Sequence, residues 1–178
     1  MNTSEIQTES VFFESISDAE TAKNIKELLV LCDSEFLPPL SSRKSTVQND
    51  FAADEAGGGV DAYFNDIKNQ SAFISYSGKT LMGMMSFREN HTSHIMDNSC
   101  LPNVYISTII VHPSYRRQGL TGKFYRDVME KYPDRKIFTR TWSTNEAHIG
   151  LLKKLGFSEY ARIENDRGQG IDTVYFNK

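Results

Sequence analysis

Cysteine is scarce in this sequence of 178 residues, which contains two, Cys32 and Cys100. Two cysteines are too few for a disulfide framework, and neither has metal-site spacing, so we expect free thiols in a reducing environment. His91, His94 and Asp97 lie close together in the sequence, but a metal site needs further ligands, so solvated loop residues are the simpler interpretation. The sequence therefore predicts no bound metal.

Long apolar segments are also missing. No stretch approaches the roughly 20 apolar residues that a membrane-spanning helix needs. Residues 1–10 have neither the basic start nor the apolar run of a secretion signal. We therefore expect a cytoplasmic protein that does not bind a membrane.

Positive charge is not in excess, because 20 Lys and Arg residues stand against 23 Asp and Glu residues, a net charge of -3. A broad nucleic-acid interface needs a basic surface to neutralise phosphates, so DNA or RNA is not an expected partner. The length suits a single domain with its own core, and we expect residues 1–178 to form one.

Hydrophobic periodicity predicts an alternation of strands and helices. Runs rich in β-branched and aromatic residues predict strands at residues 11–16, 72–76, 80–87, 104–111, 136–142, 157–163 and 171–176. Helical spacing predicts helices over about 18–33 and 60–69, one beginning near residue 119 and one ending at Gly156. Capping boxes that begin at Ser17 and Ser143 mark two helix starts. A short helix over 45–51 and a long loop over 88–103 complete the prediction.

Residues 104–122 combine a long apolar strand, a basic turn and the start of a helix. The first turn of a helix leaves N–H groups unpaired, and the helix dipole favours negative charge there. Gly119 and Gly122 would let a phosphate approach the main chain, and Arg116 and Arg117 add positive charge. The segment therefore predicts a phosphate-binding site.

Neither common nucleotide motif fits this segment. A P-loop needs four residues between its first glycine and a Gly-Lys pair, and a Ser or Thr after that pair. Two residues separate Gly119 from Gly122 and Lys123 here, and Phe124 follows them. The three-glycine dinucleotide fingerprint is absent as well.

The segment instead resembles the acyl-CoA-binding motif of the GNAT superfamily of N-acetyltransferases. That motif is Gln or Arg, two residues, Gly, one residue, and then Gly or Ala. Arg116, Gly119 and Thr121 occupy these positions, and Gly122 could give the room that Thr121 takes away.

A second segment is similar to the same superfamily. Asn145 follows the predicted fifth strand, and the next helix ends in Leu155-Gly156-Phe157. The resemblance covers residues 76–178 well and the N-terminal third by element order. It implies an α/β (α+β) fold with a central mixed, mostly antiparallel, splayed sheet of six to seven strands, flanked by about four helices.

The resemblance implies acetyl-CoA as cosubstrate. The diphosphate would bind the main chain of the motif, and the pantetheine arm would follow the strand at 104–111, where an N–H would face the thioester oxygen. The implied cofactor-binding residues are Ile109, Ile110, Val111, Arg116, Arg117, Gln118, Gly119, Leu120, Thr121, Gly122 and Asn145.

The usual base and acid of the superfamily are missing from their positions. Tyr105 stands where many members carry a glutamate base, and Leu152 where a tyrosine often protonates the thiolate. An unperturbed tyrosine titrates near pH 10, so Tyr105 would be a poor base. The candidate catalytic residues are Tyr105 and Tyr160, and the alternatives are Tyr175, His112 and a water chain ending at Asp172.

The resemblance also implies an acceptor pocket near the link between the first two helices and the end of the fifth strand. Arg140 could hold a substrate carboxylate, and Trp142 could pack on an apolar or cationic group. The same residues can be explained without a ligand. Arg140 could form a salt bridge at the end of the strand, Trp142 could be a core aromatic, and the link between the first two helices could be a surface loop. The candidate acceptor-binding residues are Phe36, Leu37, Leu40, Arg43, Arg140 and Trp142.

Two functions follow from the resemblance. The first is an N-acetyltransferase that moves an acetyl group from acetyl-CoA to a primary amine of a small molecule, peptide or protein by direct attack in a ternary complex. The second, suggested by the missing Glu and Tyr, is a non-catalytic acyl-CoA-binding sensor or interaction module. Either could act as a homodimer.

Overall fold

The computed structural model describes residues 9–48, 51 and 57–178, which form a seven-stranded sheet with α-helices. The strands are β1 (Ser10–Phe13), β2 (Ser71–Ser77), β3 (Thr80–Glu89), β4 (Asn103–Val111), β5 (Lys136–Trp142), β6 (Ser158–Ile163) and β7 (Thr173–Asn177). The helices are α1 (Ala19–Cys32), α2 (Gly59–Ile67), α3 (Leu120–Lys131) and α4 (Glu146–Lys154). No helix within these residues is long and apolar enough to cross a membrane.

The strand order is β1-β2-β3-β4-β5-β7-β6. Strands β4 and β5 run parallel, and all other neighbours are antiparallel. The predicted mixed, mostly antiparallel α/β fold is confirmed.

Two layers of apolar side chains form the main core. In one, Phe124 of α3 and Leu152 of α4 belong to a cluster with side chains of the sheet. In the other, Leu29 of α1 and Ile67 of α2 pack with residues of β2, β3 and β4. These four side chains are fully buried, and each contributes roughly 1.5–3 kcal/mol of hydrophobic free energy to folding.

The sheet opens between β4 and β5. These strands pair only where residues 103–106 face 136–139. Just beyond, Ser107 is an extra residue in β4, because Ser86 of β3 faces Thr108 whereas Phe87 faces Ile106. A bulge bends its strand, so residues 107–111 diverge from β5 and leave a cleft between the two strands.

The two predicted capping boxes are wrong in the residue that caps each helix. Asp18, not Ser17, caps α1, and its carboxylate accepts a first-turn N–H at 2.7 Å. Asn145, not Ser143, caps α4 and accepts a first-turn N–H at 3.3 Å. Asp and Asn are as effective as Ser at the N-cap position. The residue directly before each helix, Asp18 or Asn145, therefore serves as the N-cap.

Other boundaries differ for local reasons. Residues 46–47 form a turn in place of the predicted short helix, because Asp66 accepts the Thr46 N–H at 2.8 Å. Residues 49–50 of that prediction lie outside the described residues. Strand β7 begins later than predicted, since the Ile171 N–H donates to the Gly168 carbonyl within a turn. The predicted long loop includes a one-turn 3₁₀ helix at Asn98–Cys100.

Candidate active site

The turn before α3 presents unpaired amides. Gly119 begins the helix with a left-handed backbone, φ +77°, and no side chain caps it. The Lys123 N–H closes the first turn by donating to the Gly119 carbonyl at 3.0 Å. The amides of Leu120, Thr121 and Gly122 precede that bond and have no acceptor among the described residues, so they can bind an anion. A Cβ on Gly119 would meet no atom within 4 Å, so the turn is open on that side.

The two arginines of this turn have different surroundings. Arg116 donates from Nε to the Val111 carbonyl at 3.1 Å, and its Nη2 lies 2.7 Å from Glu35. Arg116 therefore braces the turn against the segment after α1. Arg117 is exposed, in the left-handed region at φ +61°, and its charge remains available to a ligand. Gln118 donates to the Ser114 carbonyl at 3.4 Å.

A cavity of about 440 Å³ occupies the cleft between β4 and β5. Its walls come from residues 106–111 of β4, residues 139–142 of β5, the start of α4 and the segment after α1. Arg116 and Thr121 line it, and so do three further arginines, described below. One cavity therefore includes both the edge of the anion-binding turn and an arginine-rich region.

Asn145 lines this cavity, but both ends of its carboxamide are engaged. Nδ2 donates to Thr141 Oγ1 at 3.1 Å, and Oδ1 accepts the His148 N–H at 3.3 Å. Asn145 thereby ties the end of β5 to α4, and its second Nδ2 hydrogen is left for a ligand.

A partly buried polar pair connects α3 and α4 beside the cavity. The Tyr125 phenolic oxygen lies 2.9 Å from His148 Nε2. Burial lowers the pKa of His148 to about 4, so the imidazole is neutral at pH 7. Leu152 lies one helical turn further along α4 and is fully buried.

Three arginines surround the ring of Phe51. The guanidinium carbons of Arg43, Arg140 and Arg167 lie 5.2, 5.1 and 4.6 Å from the ring centroid. They come from the segment after α1, from β5 and from the β6–β7 connection, which the fold brings together. We call these three residues the arginine cluster.

Burial is the largest influence on the pKa values of the arginine cluster. It lowers the pKa of Arg43, with Arg140 adding repulsion, and burial together with repulsion from both neighbours lowers the pKa of Arg167 to about 9. Burial also acts to lower the pKa of Arg140, but interactions with the Tyr105 and Tyr175 phenols outweigh it and raise the pKa. Arg140 thus disfavours the charged form of Arg43, and Arg43 and Arg140 together disfavour that of Arg167.

The two candidate catalytic tyrosines do not have the surroundings of a base or acid of this cavity. Tyr105 is 2% exposed, and burial raises its pKa to about 12, so it is not a base at neutral pH. Tyr160 is 41% exposed on β6, with its hydroxyl 3.4 Å from Cys100 Sγ, and it does not line the cavity.

The alternatives have other partners. His112 Nδ1 accepts the Ser114 N–H at 3.2 Å and supports the turn after β4. The Tyr175 hydroxyl accepts a hydrogen bond from Arg140 at 3.3 Å. Asp172 is bound to Arg162 and lies outside the cavity lining.

Of the candidate acceptor-binding residues, four line the cavity: Phe36, Arg43, Arg140 and Trp142. Their role in acceptor binding stays a prediction. Leu37 does not line the cavity, but its carbonyl accepts hydrogen bonds from Arg43 and Arg167. Leu40 is buried in the core with α1.

Sequence reasoning missed other residues of the cavity lining, among them Glu35, Tyr63 and Arg167. Glu35 directly precedes the predicted Phe36 and could have been included on that ground. Arg167 lies in a glycine-containing loop with no local signal, and only the pairing of β6 with β7 brings it to the cavity. Within the described part of the chain, no group of three or more His, Cys, Asp or Glu side chains could hold a metal ion.

The sheet splays open beside a helix start that can bind an anion. This is the architecture of acyl-CoA-dependent transferases that the sequence resemblance implies. The model of the GNAT acetyltransferase family matches residues 34–157. The chain therefore belongs to the GNAT family of acetyltransferases. No curated protein sequence is significantly similar to it.

Solved structures share this fold at low identity. An N-acetyltransferase from Staphylococcus aureus Mu50 is 12% identical, with 96% of this chain and 98% of that one covered and a TM-score of 0.62. Arabidopsis thaliana NAA60, solved with a bisubstrate analogue, is 16% identical, with 96% and 97% covered and a TM-score of 0.64. YncA from Salmonella typhimurium, solved with its cofactor acetyl-CoA, is 15% identical, with 96% and 93% covered and a TM-score of 0.61.

Proposed function

We propose that this protein transfers the acetyl group of acetyl-CoA to a primary amine of a small molecule, peptide or protein, by direct attack in a ternary complex. The observation that carries the proposal is the cavity between β4 and β5, which reaches from the turn before α3 to the arginine cluster. Membership of the acetyltransferase family supports the reaction class. The YncA complex supports the choice of donor.

The donor would lie along the diverging part of β4. The amides of residues 120–122, with Arg117, would hold the diphosphate. Main-chain groups near Ile109, Ile110 and Val111 are not paired with β5 and would hold the pantetheine arm. One N–H of this segment would donate to the thioester oxygen as negative charge develops there.

The reaction needs little further chemistry. A neutral amine forms the new C–N bond, the C–S bond breaks, the amine nitrogen loses a proton, and the departing sulfur leaves as the thiol once protonated. Holding the two reactants in one cavity can lower the barrier by about 7–11 kcal/mol in favourable cases. Glu35 is the carboxylate among the described cavity residues, and a water chain ending at it is the proton route that this lining supports.

The decisive experiment combines donor binding with turnover. Purified protein would be titrated calorimetrically with acetyl-CoA, and thiol release would be followed over a panel of amino acids, polyamines, aminated antibiotics and peptides. We expect binding, and acceleration of thiol release by at least one acceptor class. Binding with no acceleration by any amine would favour the non-catalytic acyl-CoA sensor. Absence of binding would overturn both functions.

A further inference from the structure

Within the described part of the chain, the arginine cluster has little negative charge beside it. Among the described residues, no carboxylate lies within ion-pair distance of Arg43, Arg140 or Arg167. Asp166 is the carboxylate that favours the charged form of Arg167, but Asp166 itself accepts a hydrogen bond from the Thr173 hydroxyl. One carboxylate does not balance three cations.

Hydrogen bonds to the main chain fix the positions of these guanidinium groups. Arg140 Nη2 donates to the carbonyls of Thr46 and Gln48 at 3.2 and 2.7 Å. Arg43 donates from Nε and Nη2 to the carbonyls of Pro38 and Leu37 at 3.0 and 3.2 Å. Carbonyl oxygens orient a guanidinium group but carry no full charge, so these bonds leave the net positive charge of the cluster in place.

Part of the hydrogen-bond donor capacity of the cluster is unused within the described residues. Arg167 uses Nε for Thr173 Oγ1 at 2.9 Å and Nη1 for the Leu37 carbonyl, and Nη2 has no acceptor among the described residues. Among the described residues, Arg88 Nε is the one side-chain nitrogen or oxygen that is both fully buried and without a hydrogen-bond partner. Arg167 Nη2, which also has no partner there, is therefore not fully buried. All three arginines line the cavity. A guanidinium group held in place with a free N–H pair is suited to an oxyanion.

We propose that the acceptor is an anionic amine, whose carboxylate or equivalent oxyanion binds the arginine cluster while its amino group faces the thioester. This inference rests on the proposed acetyl transfer and deepens it. Cationic acceptors without an oxyanion, such as polyamines, would be repelled by the cluster. The ring of Phe51, which contacts all three guanidinium groups, would form one side of the same subsite.

The test uses pairs of acceptors that differ in charge at one group. Each amino acid is compared with its carboxamide, for example phenylalanine with phenylalaninamide. Further arms pair ω-amino acids with their amides, and peptides with an acidic second residue with their amidated counterparts, to distinguish the source of the oxyanion. Because the carboxamide lowers the pKa of the amine, a larger fraction of that amine is neutral and able to attack near pH 7. At this pH the protonation state of the amine therefore favours the amide and does not produce a preference for the acid. We expect kcat/KM at least tenfold higher for the acid in one arm.

Arg167→Gln is the main variant, and Arg135→Gln is its control. Arg135 is paired with Glu89 at 2.6 Å and does not line the cavity. In Arg167→Gln we expect the acid-over-amide ratio of kcat/KM to fall at least tenfold, because the rate for the acid falls more than the rate for the amide. Arg167→Lys should restore part of the ratio, because it keeps the charge but not the fork of donors. Arg135→Gln should leave the ratio unchanged.

Equal loss of both rates in Arg167→Gln, with acetyl-CoA affinity unchanged, would assign Arg167 a bracing role and overturn the proposal. Equal rates for acid and amide in every arm of the wild type would also overturn it while leaving acetyl transfer intact. A readout independent of turnover is thermal stabilisation of the CoA-bound protein by N-acetyl amino acids against their amides. Stronger stabilisation by the acids, lost in Arg167→Gln, supports the oxyanion subsite even if no amine is turned over.

Discussion

The phenolic oxygen of Tyr125 lies 2.9 Å from Nε2 of His148, and this contact joins α3 to α4 beside the cavity. Tyr125 also donates to Thr139 Oγ1 at 3.3 Å, so the pair reaches β5. His148 precedes Leu152 by one helical turn and therefore shares its face of α4. The family resemblance implies a tyrosine on this face of α4, at the position where this chain has Leu152. The neutral His148–Tyr125 pair provides a polar group on the same face.

The partly buried imidazole of His148 leads to a prediction about how stability depends on pH. The folded pKa of His148 is about 4, below the unfolded value of 6.5, so protonation favours the unfolded state. The contribution of His148 to the free energy of unfolding is complete above pH 6.5 and is lost as the pH falls through 4, by up to about 3 kcal/mol. His148→Gln removes this titration. We expect its urea-unfolding free energy to fall less than that of wild type between pH 7 and pH 4.5, and parallel profiles would show that His148 is not the titrating group.

The open turn at Gly119 gives a prediction about donor binding. Gly119→Glu places a side chain and a negative charge where the diphosphate is proposed to lie, and should reduce acetyl-CoA affinity at least a hundredfold. A non-glycine residue in the left-handed region also costs about 1–2 kcal/mol of stability. Calorimetric titration measures the affinity, and chemical denaturation measures the stability.

Gly78 provides a matched control for this variant. It has φ +59° in the β2–β3 turn, and a Cβ there would likewise meet no atom within 4 Å. Gly78→Glu introduces the same charge and a similar backbone strain away from the cavity. Gly78→Glu should therefore lose similar stability and keep the wild-type affinity for acetyl-CoA. Equal acetyl-CoA affinity in the two variants would show that the diphosphate does not bind at the Gly119 turn.

We predict that Tyr105 is not the base that removes the proton of the acceptor amine. Its pKa is raised to about 12, and its hydroxyl makes no hydrogen bond with a described residue. Tyr105→Phe should therefore keep kcat/KM within about threefold and leave the pH–rate profile unmoved. Glu35→Gln, by contrast, should lower kcat/KM at least tenfold, because it removes the carboxylate at which the proposed water chain ends. A large loss confined to Tyr105→Phe would return the catalytic role to the tyrosine.

Sequence patterns were sufficient for the elements whose signals are local. The apolar strand before Pro113, the glycine that starts α3 and the Leu-Gly-Phe end of α4 each depend on neighbours in sequence, and each is found where predicted. The arginine cluster could not be assembled in this way, since Arg167 reaches Arg43 only through the pairing of distant strands. The surroundings of Tyr105 were hidden for the same reason, because its burial depends on side chains from other elements.

Asp66 anchors the segment that holds Arg140, and this gives the last prediction. Its carboxylate accepts hydrogen bonds from the Thr46 amide at 2.8 Å and the Thr46 hydroxyl at 2.7 Å, and it is paired with Arg88. The Thr46 carbonyl in turn accepts from Arg140. Burial acts to raise the pKa of Asp66, but hydrogen bonds from Arg88 and Thr46 outweigh it and lower the pKa, so the ionised carboxylate stabilises the fold.

Asp66→Asn leaves Arg88 without its charged partner in a site where both side chains are less than one-third exposed. We expect a loss of about 2–4 kcal/mol in the free energy of unfolding, because an unpaired, partly buried charge remains. Asp61→Asn is the control: Asp61 is paired with Lys26 but its side chain is 78% exposed, so its loss should cost at most about 1 kcal/mol. Asp66→Asn should also raise the KM for the acceptor more than the Kd for acetyl-CoA, since it loosens the support of Arg140 and not the turn at α3. Equal stability of the two variants in urea denaturation would show that the Asp66 carboxylate does not carry this part of the fold.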